Sequence, residues 1–225
     1  MSAAQQRVRV FLDFDSTLTA LEGYDELARM RGAYRAVSAV TRRAMAGKVD
    51  FIAALRDRLE LIRPDAAMLA ELARLYVRNM VAGAAAGVAR LREQGMRPRI
   101  VSGGPREAIL PCAARLGIAA ADVVAVGLKL DAAGAYKGFD RRSEVLRPGG
   151  KASACGARVG PKEIGVVVGD GASDAEAKAS GMLFVQYAGV VDRREVRPHA
   201  DAVIRGRSLR NIDRHVLRAV ARRAG

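Results

Sequence analysis

Val8-Arg9-Val10-Phe11-Leu12-Asp13-Phe14-Asp15-Ser16-Thr17-Leu18-Thr19 is the stretch on which the reading of this chain turns. Val8, Val10, Phe11, Leu12 and Phe14 suit a strand buried on both faces of a parallel sheet. The apolar run stops at two aspartates and two hydroxyls. Open α/β sheets bind ligands beyond the carboxyl ends of their strands, so the aspartates are expected at such an end. Residues i and i+2 of a strand share a face, which would bring Asp13 and Asp15 together. Two neighbouring carboxylates repel unless one is protonated or a cation lies between them. A hard cation such as Mg2+ suits carboxylates, waters and phosphate oxygens.

The segments that follow predict an α/β chain with a helical insertion. Glu22–Arg31 reads as a helix broken at Arg31-Gly32, Val37–Met45 as a second, broken at Gly47. Phe51, Ala54, Leu55, Leu59 and Ile62 fall on one helical face. Pro64 is expected to end that helix and to open the next at its first position, through Leu69, Leu72, Leu75 and Tyr76. From Val81 a β/α alternation resumes, with a helix to Glu93 and a strand Arg97–Val101 ending at Ser102-Gly103-Gly104. Pro105 then opens a helix through Leu116. Val123–Phe139 reads as a hairpin, Lys151 as the start of a short helix, and Ile164–Val168 as a second buried strand ending at Gly169-Asp170-Gly171-Ala172-Ser173-Asp174. Met182–Gln186 and Ala202–Ile204 are further strands, and Leu209–Ala221 a closing helix.

Composition bounds the possibilities. The 225 residues, half of them hydrophobic, allow one large domain or a core with a small insertion. No apolar run is long enough to span a membrane, and the polar start lacks a signal-peptide core. Cys112 and Cys155 are too few for a disulfide framework, and His199 and His215 too few for a histidine metal site. A cytoplasmic location is expected. The net charge of +14 comes mainly from arginine, concentrated toward the end of the chain. With aromatics at 4%, few stacking platforms exist for nucleic acid, and a solvated basic surface is the expectation.

Three strand ends thus carry polar residues: Asp13/Asp15, Ser102 and Asp170/Asp174, with Lys151 able to reach the same edge. Carboxylates, a hydroxyl, an ammonium and glycine amides around one crevice suit phosphoryl transfer, and a carboxylate can itself be the nucleophile. Gly150-Lys151 is not a Walker loop, because Val145 and Ala152 stand where Gly and Ser/Thr are required.

Asp13-Phe14-Asp15-Ser16-Thr17, Ser102-Gly103-Gly104, Lys151 and Gly169-Asp170-Gly171-Ala172-Ser173-Asp174 resemble, in order, the four motifs of the haloacid dehalogenase superfamily. Glu22-Gly23-Tyr24-Asp25-Glu26-Leu27-Ala28 and Thr41–Gly47, continuing through Phe51 to Leu59, are similar to the helical cap of its phosphoserine phosphatases. The resemblance implies a Rossmann-like parallel-sheet core over 1–19 and 80–225, with a small helical cap over 20–79. It implies Asp13 as nucleophile and Asp15 as acid and base, with Ser102 and Lys151 holding the phosphoryl group. Mg2+ would be held by Asp13, Asp15 through its backbone carbonyl, Asp170 and Asp174. Glu22 would face a substrate ammonium and Arg58 a carboxylate, with Met45 and Phe51 walling the pocket and Gly103 and Ser173 as further contacts. The implied reaction is hydrolysis of O-phospho-L-serine, by a monomer or homodimer without nucleic-acid or membrane partners. Pro105, where such enzymes usually carry Phe, and Val126, where they often carry Asn, keep open another small phosphomonoester, or transfer to an alcohol.

Overall fold

The computed structural model describes residues 7–45, 50–147 and 149–224, the side chains of residues 44, 45 and 224 excepted. The chain opens with β1 (Arg7–Leu12), whose last three residues are fully buried. Four helices follow: α1 (Gly23–Met30), α2 (Tyr34–Met45), α3 (Phe51–Ile62) and α4 (Ala66–Arg78). After α5 (Ala84–Glu93) come β2 (Arg97–Pro105), α6 (Arg106–Arg115) and β3 (Val123–Val126). A short hairpin, β4 (Leu128–Leu130) and β5 (Tyr136–Phe139), leads to α7 (Gly150–Gly156) and β6 (Glu163–Gly169). α8 (Ala172–Ala175), β7 (Leu183–Tyr187), β8 (Ala202–Ile204) and α9 (Ile212–Ala224) complete the fold.

Six strands form one parallel sheet in the order β3-β2-β1-β6-β7-β8. Within this sheet the strand order runs third, second, first, fourth, fifth, sixth. The winding therefore reverses between β1 and β6, where doubly wound sheets place their ligand crevice. β1 is paired on both sides, with Leu12 opposite Ile100 and Val168. Its last three residues, covered on both faces, are all apolar, while Arg7 and Arg9 occupy its less buried beginning. At the opposite end, Arg9 and Glu163 form an ion pair across β1 and β6.

The helical block follows from its caps and its apolar stripes. Asp50 accepts the Ile52 and Ala53 N–H groups at 2.9 and 3.1 Å and starts α3. Asp65 accepts the Met68 N–H at 2.9 Å and starts α4. Pro64 therefore lies just outside α4 rather than at its first position, because the carboxylate at Asp65 satisfies donors that proline cannot. Ala54, Leu55, Leu59 and Ile62 are buried as the spacing predicted, but Phe51 is 50% exposed. A first-turn side chain reaches past the start of its helix, beyond the core that the later turns cover. Leu27, Leu55, Leu59, Leu69, Leu72 and Tyr76 join the same buried cluster as the sheet residues. Gly47 lies outside the described residues.

Two boundaries in the second half differ from expectation. β2 continues through Ser102 to Pro105 with an irregular register, because Pro105 pairs with Val126, and Pro105 caps α6 instead of opening it. Val123–Val126 is no arm of a hairpin; all four residues are buried, and the segment is the parallel edge strand β3. Only Leu128–Leu130 and Tyr136–Phe139 form the antiparallel pair. Much of the arginine excess is tied to the fold. Arg90 meets Asp213 through two hydrogen bonds, Arg158 meets Glu144 likewise, and Arg97 and Arg99 share Asp122. Among the described residues no helix is long and apolar enough to cross a membrane.

Leu59→Ala should lower unfolding free energy by about 2–5 kcal/mol, read by denaturant titration, since a fully buried leucine leaves a cavity.

Candidate active site

The carboxyl ends of β2, β1 and β6 deliver Ser102, Asp13 and Asp170 to one crevice of about 730 Å³. The Asp13 N–H donates to the Val168 carbonyl at 2.9 Å, which fixes this aspartate against β6. Asp13, Asp170 and Asp174 are buried, and each offers a carboxylate oxygen within 4.8 Å of the others. The Lys151 Nζ reaches Asp13 Oδ1 at 2.6 Å and Asp174 Oδ1 at 3.0 Å. Asp174 Oδ2 accepts the Gly171 N–H at 3.1 Å. A Cβ on Gly169 would collide with that Asp174 carboxylate, so the strand must end in glycine here.

The electrostatics express this crowding. Burial, then Asp174, push the Asp13 carboxyl well above the usual range, and Lys151 only partly offsets them. Burial opposes the charge on Lys151, but Asp13 and Asp174 outweigh it and hold the ammonium protonated. Burial also raises Asp170, against the pull of Arg193. A set of hard, buried oxygens with more negative than positive charge fits a small divalent cation such as Mg2+.

Asp15 stands apart from this cluster. β1 ends at Leu12 and the chain turns, so the i, i+2 strand relation does not hold across Asp13 and Asp15. Ser16 takes a left-handed conformation at φ +53°, an unusual one for a side chain with a Cβ. The Asp15 carboxylate accepts the Tyr76 hydroxyl at 2.9 Å and the Gly23 amide. Burial, then Glu22, raise its pKa to about 7 against these two donors. A Cβ on Gly23 would run into Tyr76 Oη, so glycine keeps α1 close enough to α4 for this contact.

The remaining candidates occupy the floor and rim of the same crevice. Ser102 is buried, and its Oγ accepts the Gly104 N–H at 3.0 Å. Gly103 lies beneath Phe51, whose Cζ a Cβ there would meet at 3.4 Å. Arg58 is half-buried, and its Nε donates to the Ala54 carbonyl at 3.2 Å. Among the described residues Arg58 has no ion-pair partner, and burial lowers its pKa. Glu22 is bound to the Ser16 hydroxyl at 2.7 Å. Ser173 is exposed on the crevice wall. The Met45 side chain lies outside the described residues. Pro105 and Val126 are opposite each other across β2 and β3.

Arg193 was not among the sequence candidates. Its Nε donates to Asp170 Oδ2 at 2.7 Å, and a terminal nitrogen lies 3.6 Å from Glu22. Nothing local distinguishes it from the other arginines near the end of the chain; only the fold brings it to Asp170.

Gly23→Ala should destabilise the protein by about 1–3 kcal/mol through the lost hydrogen bond to Asp15. Combined with Tyr76→Phe, which removes the colliding oxygen, the two losses should sum to less than their separate values by about 1 kcal/mol, measured as a double-mutant cycle.

Comparison with known proteins agrees with this geometry. The family model for haloacid dehalogenase-like hydrolases matches residues 9–181. Human phosphoserine phosphatase is 37% identical over 194 residues, covering 85% of this chain and 86% of the relative. The chloroplastic phosphoserine phosphatase of Arabidopsis thaliana is 38% identical over 199 residues, covering 87% and 68%. A solved phospho-aspartyl intermediate analogue of phosphoserine phosphatase superposes with a TM-score of 0.77 at 27% identity, covering 93% of this chain and 99% of that one. The buried carboxylates at the sheet's reversal point are thus those of a known group: the chain belongs to the haloacid dehalogenase-like hydrolase family.

Proposed function

We propose that this protein is a Mg2+-dependent phosphoserine phosphatase, releasing L-serine and phosphate from O-phospho-L-serine by way of an aspartyl-phosphate on Asp13. One observation carries the reading. The crevice joins a floor fit for a phosphoryl group, formed by Asp13, Ser102 and Lys151, to Glu22 and Arg58 on the helices above. A phosphorylated zwitterion needs both parts: an acid for its ammonium, and a planar guanidinium for its carboxylate. The curated relatives and the solved neighbours bear the same activity in their names.

Each residue follows from its position. Asp13 Oδ is the attacking oxygen, and Ser102 and the Lys151 ammonium hold the phosphoryl oxygens. Asp15 protonates the departing serine oxygen and then takes a proton from the attacking water; Tyr76 and Gly23 hold it in place for both steps. The carboxylates of Asp13, Asp170 and Asp174, with the Asp15 backbone carbonyl, would hold Mg2+. When bound, the ion supplies charge neutralisation at the phosphoryl oxygens. Phe51, Gly103 and Ser173 border the amino-acid part. Segment 20–79 serves as the cap that carries Glu22 and Arg58 over the floor. Cys112 and Cys155 are free and buried, their thiols pushed up by burial to about 11 and about 12.

The direct test is phosphate release from L-phosphoserine, with Mg2+ and then with excess chelator. Metal-dependent release is expected; folded protein that releases none refutes the proposal. Asp13→Asn should abolish turnover while the far-ultraviolet circular dichroism stays unchanged. Arg58→Ala should raise KM for phosphoserine by about tenfold or more, the loss of a charge-assisted contact, and spare an aryl phosphate. Equal losses on both would argue against a carboxylate clamp.

A further inference from the structure

Tyr24 is the unexplained member of the crevice. It stands in the first turn of α1, is only 7% exposed, and lines the same cavity as Asp13, Glu22 and Arg58. Its hydroxyl is buried with no hydrogen-bond partner among the described residues. Buried hydroxyls nearly always find a partner, and one left without it in a pocket wall calls for a ligand or a water. The nearby carboxylates accept other donors and not this hydroxyl. Asp15 holds Tyr76 and Gly23, and Glu107 accepts the Leu128 N–H through both oxygens, at 3.0 and 3.1 Å.

The second observation concerns Arg58. Its guanidinium lies over the Tyr24 ring, 5.3 Å from the centroid. That stacking holds the cation by a weak attraction and leaves its terminal nitrogens free of any carboxylate among the described residues. A half-buried guanidinium and a buried phenol therefore line the wall of one cavity, both donors and both without an anion among the described residues. One planar anion satisfies the two together, taking paired N–H donors from the arginine and an O–H from the phenol.

We infer that Tyr24 is a substrate-recognition residue whose hydroxyl donates a hydrogen bond to the same carboxylate that Arg58 holds. The inference rests on the proposed amino-acid substrate and deepens it: the carboxylate subsite contains a charged donor and a neutral one. A site built to pair a polar group discriminates strongly against a molecule that lacks it, because its own donors then stay buried and unpaired.

The test compares phosphoserine with phosphoethanolamine, which keeps the ammonium and phosphate but has no carboxylate. In Tyr24→Phe the ratio of kcat/KM for phosphoserine to that for phosphoethanolamine should fall about tenfold, the value of one hydrogen bond to a charged group. An unchanged ratio, whether the absolute rates hold or fall together, overturns the proposal; a joint fall would put the hydroxyl on the ammonium or phosphate instead. The unliganded variant should unfold at the same or a higher temperature than the parent, since only an unpaired hydroxyl is lost. A lower midpoint would assign the hydroxyl a structural contact and overturn the proposal too. Failure of the parent protein to hydrolyse phosphoserine while hydrolysing other esters would refute the underlying reading before any variant is made.

Discussion

Three buried carboxylates held within a few ångströms of each other are the constraint to which the site is fitted. Asp13, Asp170 and Asp174 come from the two strands that flank the reversal of the sheet and from the short helix after the second. Placed so, they repel, and burial strengthens the repulsion. The local structure answers with fixed positive charge. Lys151 lies between Asp13 and Asp174, Arg193 lies on Asp170, and the Gly171 amide points at Asp174. Gly169 lacks a side chain because the Asp174 carboxylate occupies the space. Each of these residues makes sense only in company with the others, and none would be stable alone at its depth.

The same repulsion explains why Asp15 leaves the cluster. A fourth carboxylate beside Asp13 would deepen the charge excess. The left-handed turn at Ser16 instead accompanies a second environment for Asp15, made by α1 and α4, with a phenol and an amide as donors. Two aspartates one residue apart thus meet different surroundings. Asp13 faces the Lys151 ammonium within the carboxylate cluster, where a bound cation would favour its anionic form; Asp15, raised to about 7, is placed to both give and take a proton near neutrality.

How much of this the sequence displayed depends on the range of the interaction. The core strands were legible because burial on both faces demands an apolar residue at every position, and the strand ends because charge interrupts those runs. Asp13, Ser102, Lys151 and Asp170 could be assigned to one edge from strand order alone. Asp15 was misjudged in its surroundings, since its donor Tyr76 is 61 residues away and reads in sequence as an ordinary core aromatic. Phe51 lines the crevice as expected but is half exposed rather than buried on the helical face, because helical spacing gives a direction but not whether any core lies beneath the first turn. The edge strand Val123–Val126 was merged into a hairpin although its unbroken apolar run has the signature of parallel pairing. Arg193 could not be found at all: an arginine beside Asp192 and Arg194 looks like surface until β7 and its following loop are placed next to β6.

Arginine in this chain accordingly has two uses that composition cannot separate. Arg90, Arg97, Arg99 and Arg158 meet carboxylates and hold elements together. Among the described residues Arg58 meets only a carbonyl and the face of Tyr24. The difference parallels that between the two phenols of the crevice. Tyr76 spends its hydroxyl on Asp15, whereas the Tyr24 hydroxyl has no partner among the described residues. A folded chain minimises its buried unpaired donors, so a buried phenol hydroxyl without a partner among the described residues, beside a half-buried guanidinium without a carboxylate there, is costly to keep empty. The cost is recovered when a ligand arrives, and it is recovered selectively, because only a ligand bearing an anion at that point of the wall relieves both donors at once. On the proposed reading, the unsatisfied groups on the helical block select among phosphate esters, while the network at the sheet edge serves the phosphoryl chemistry.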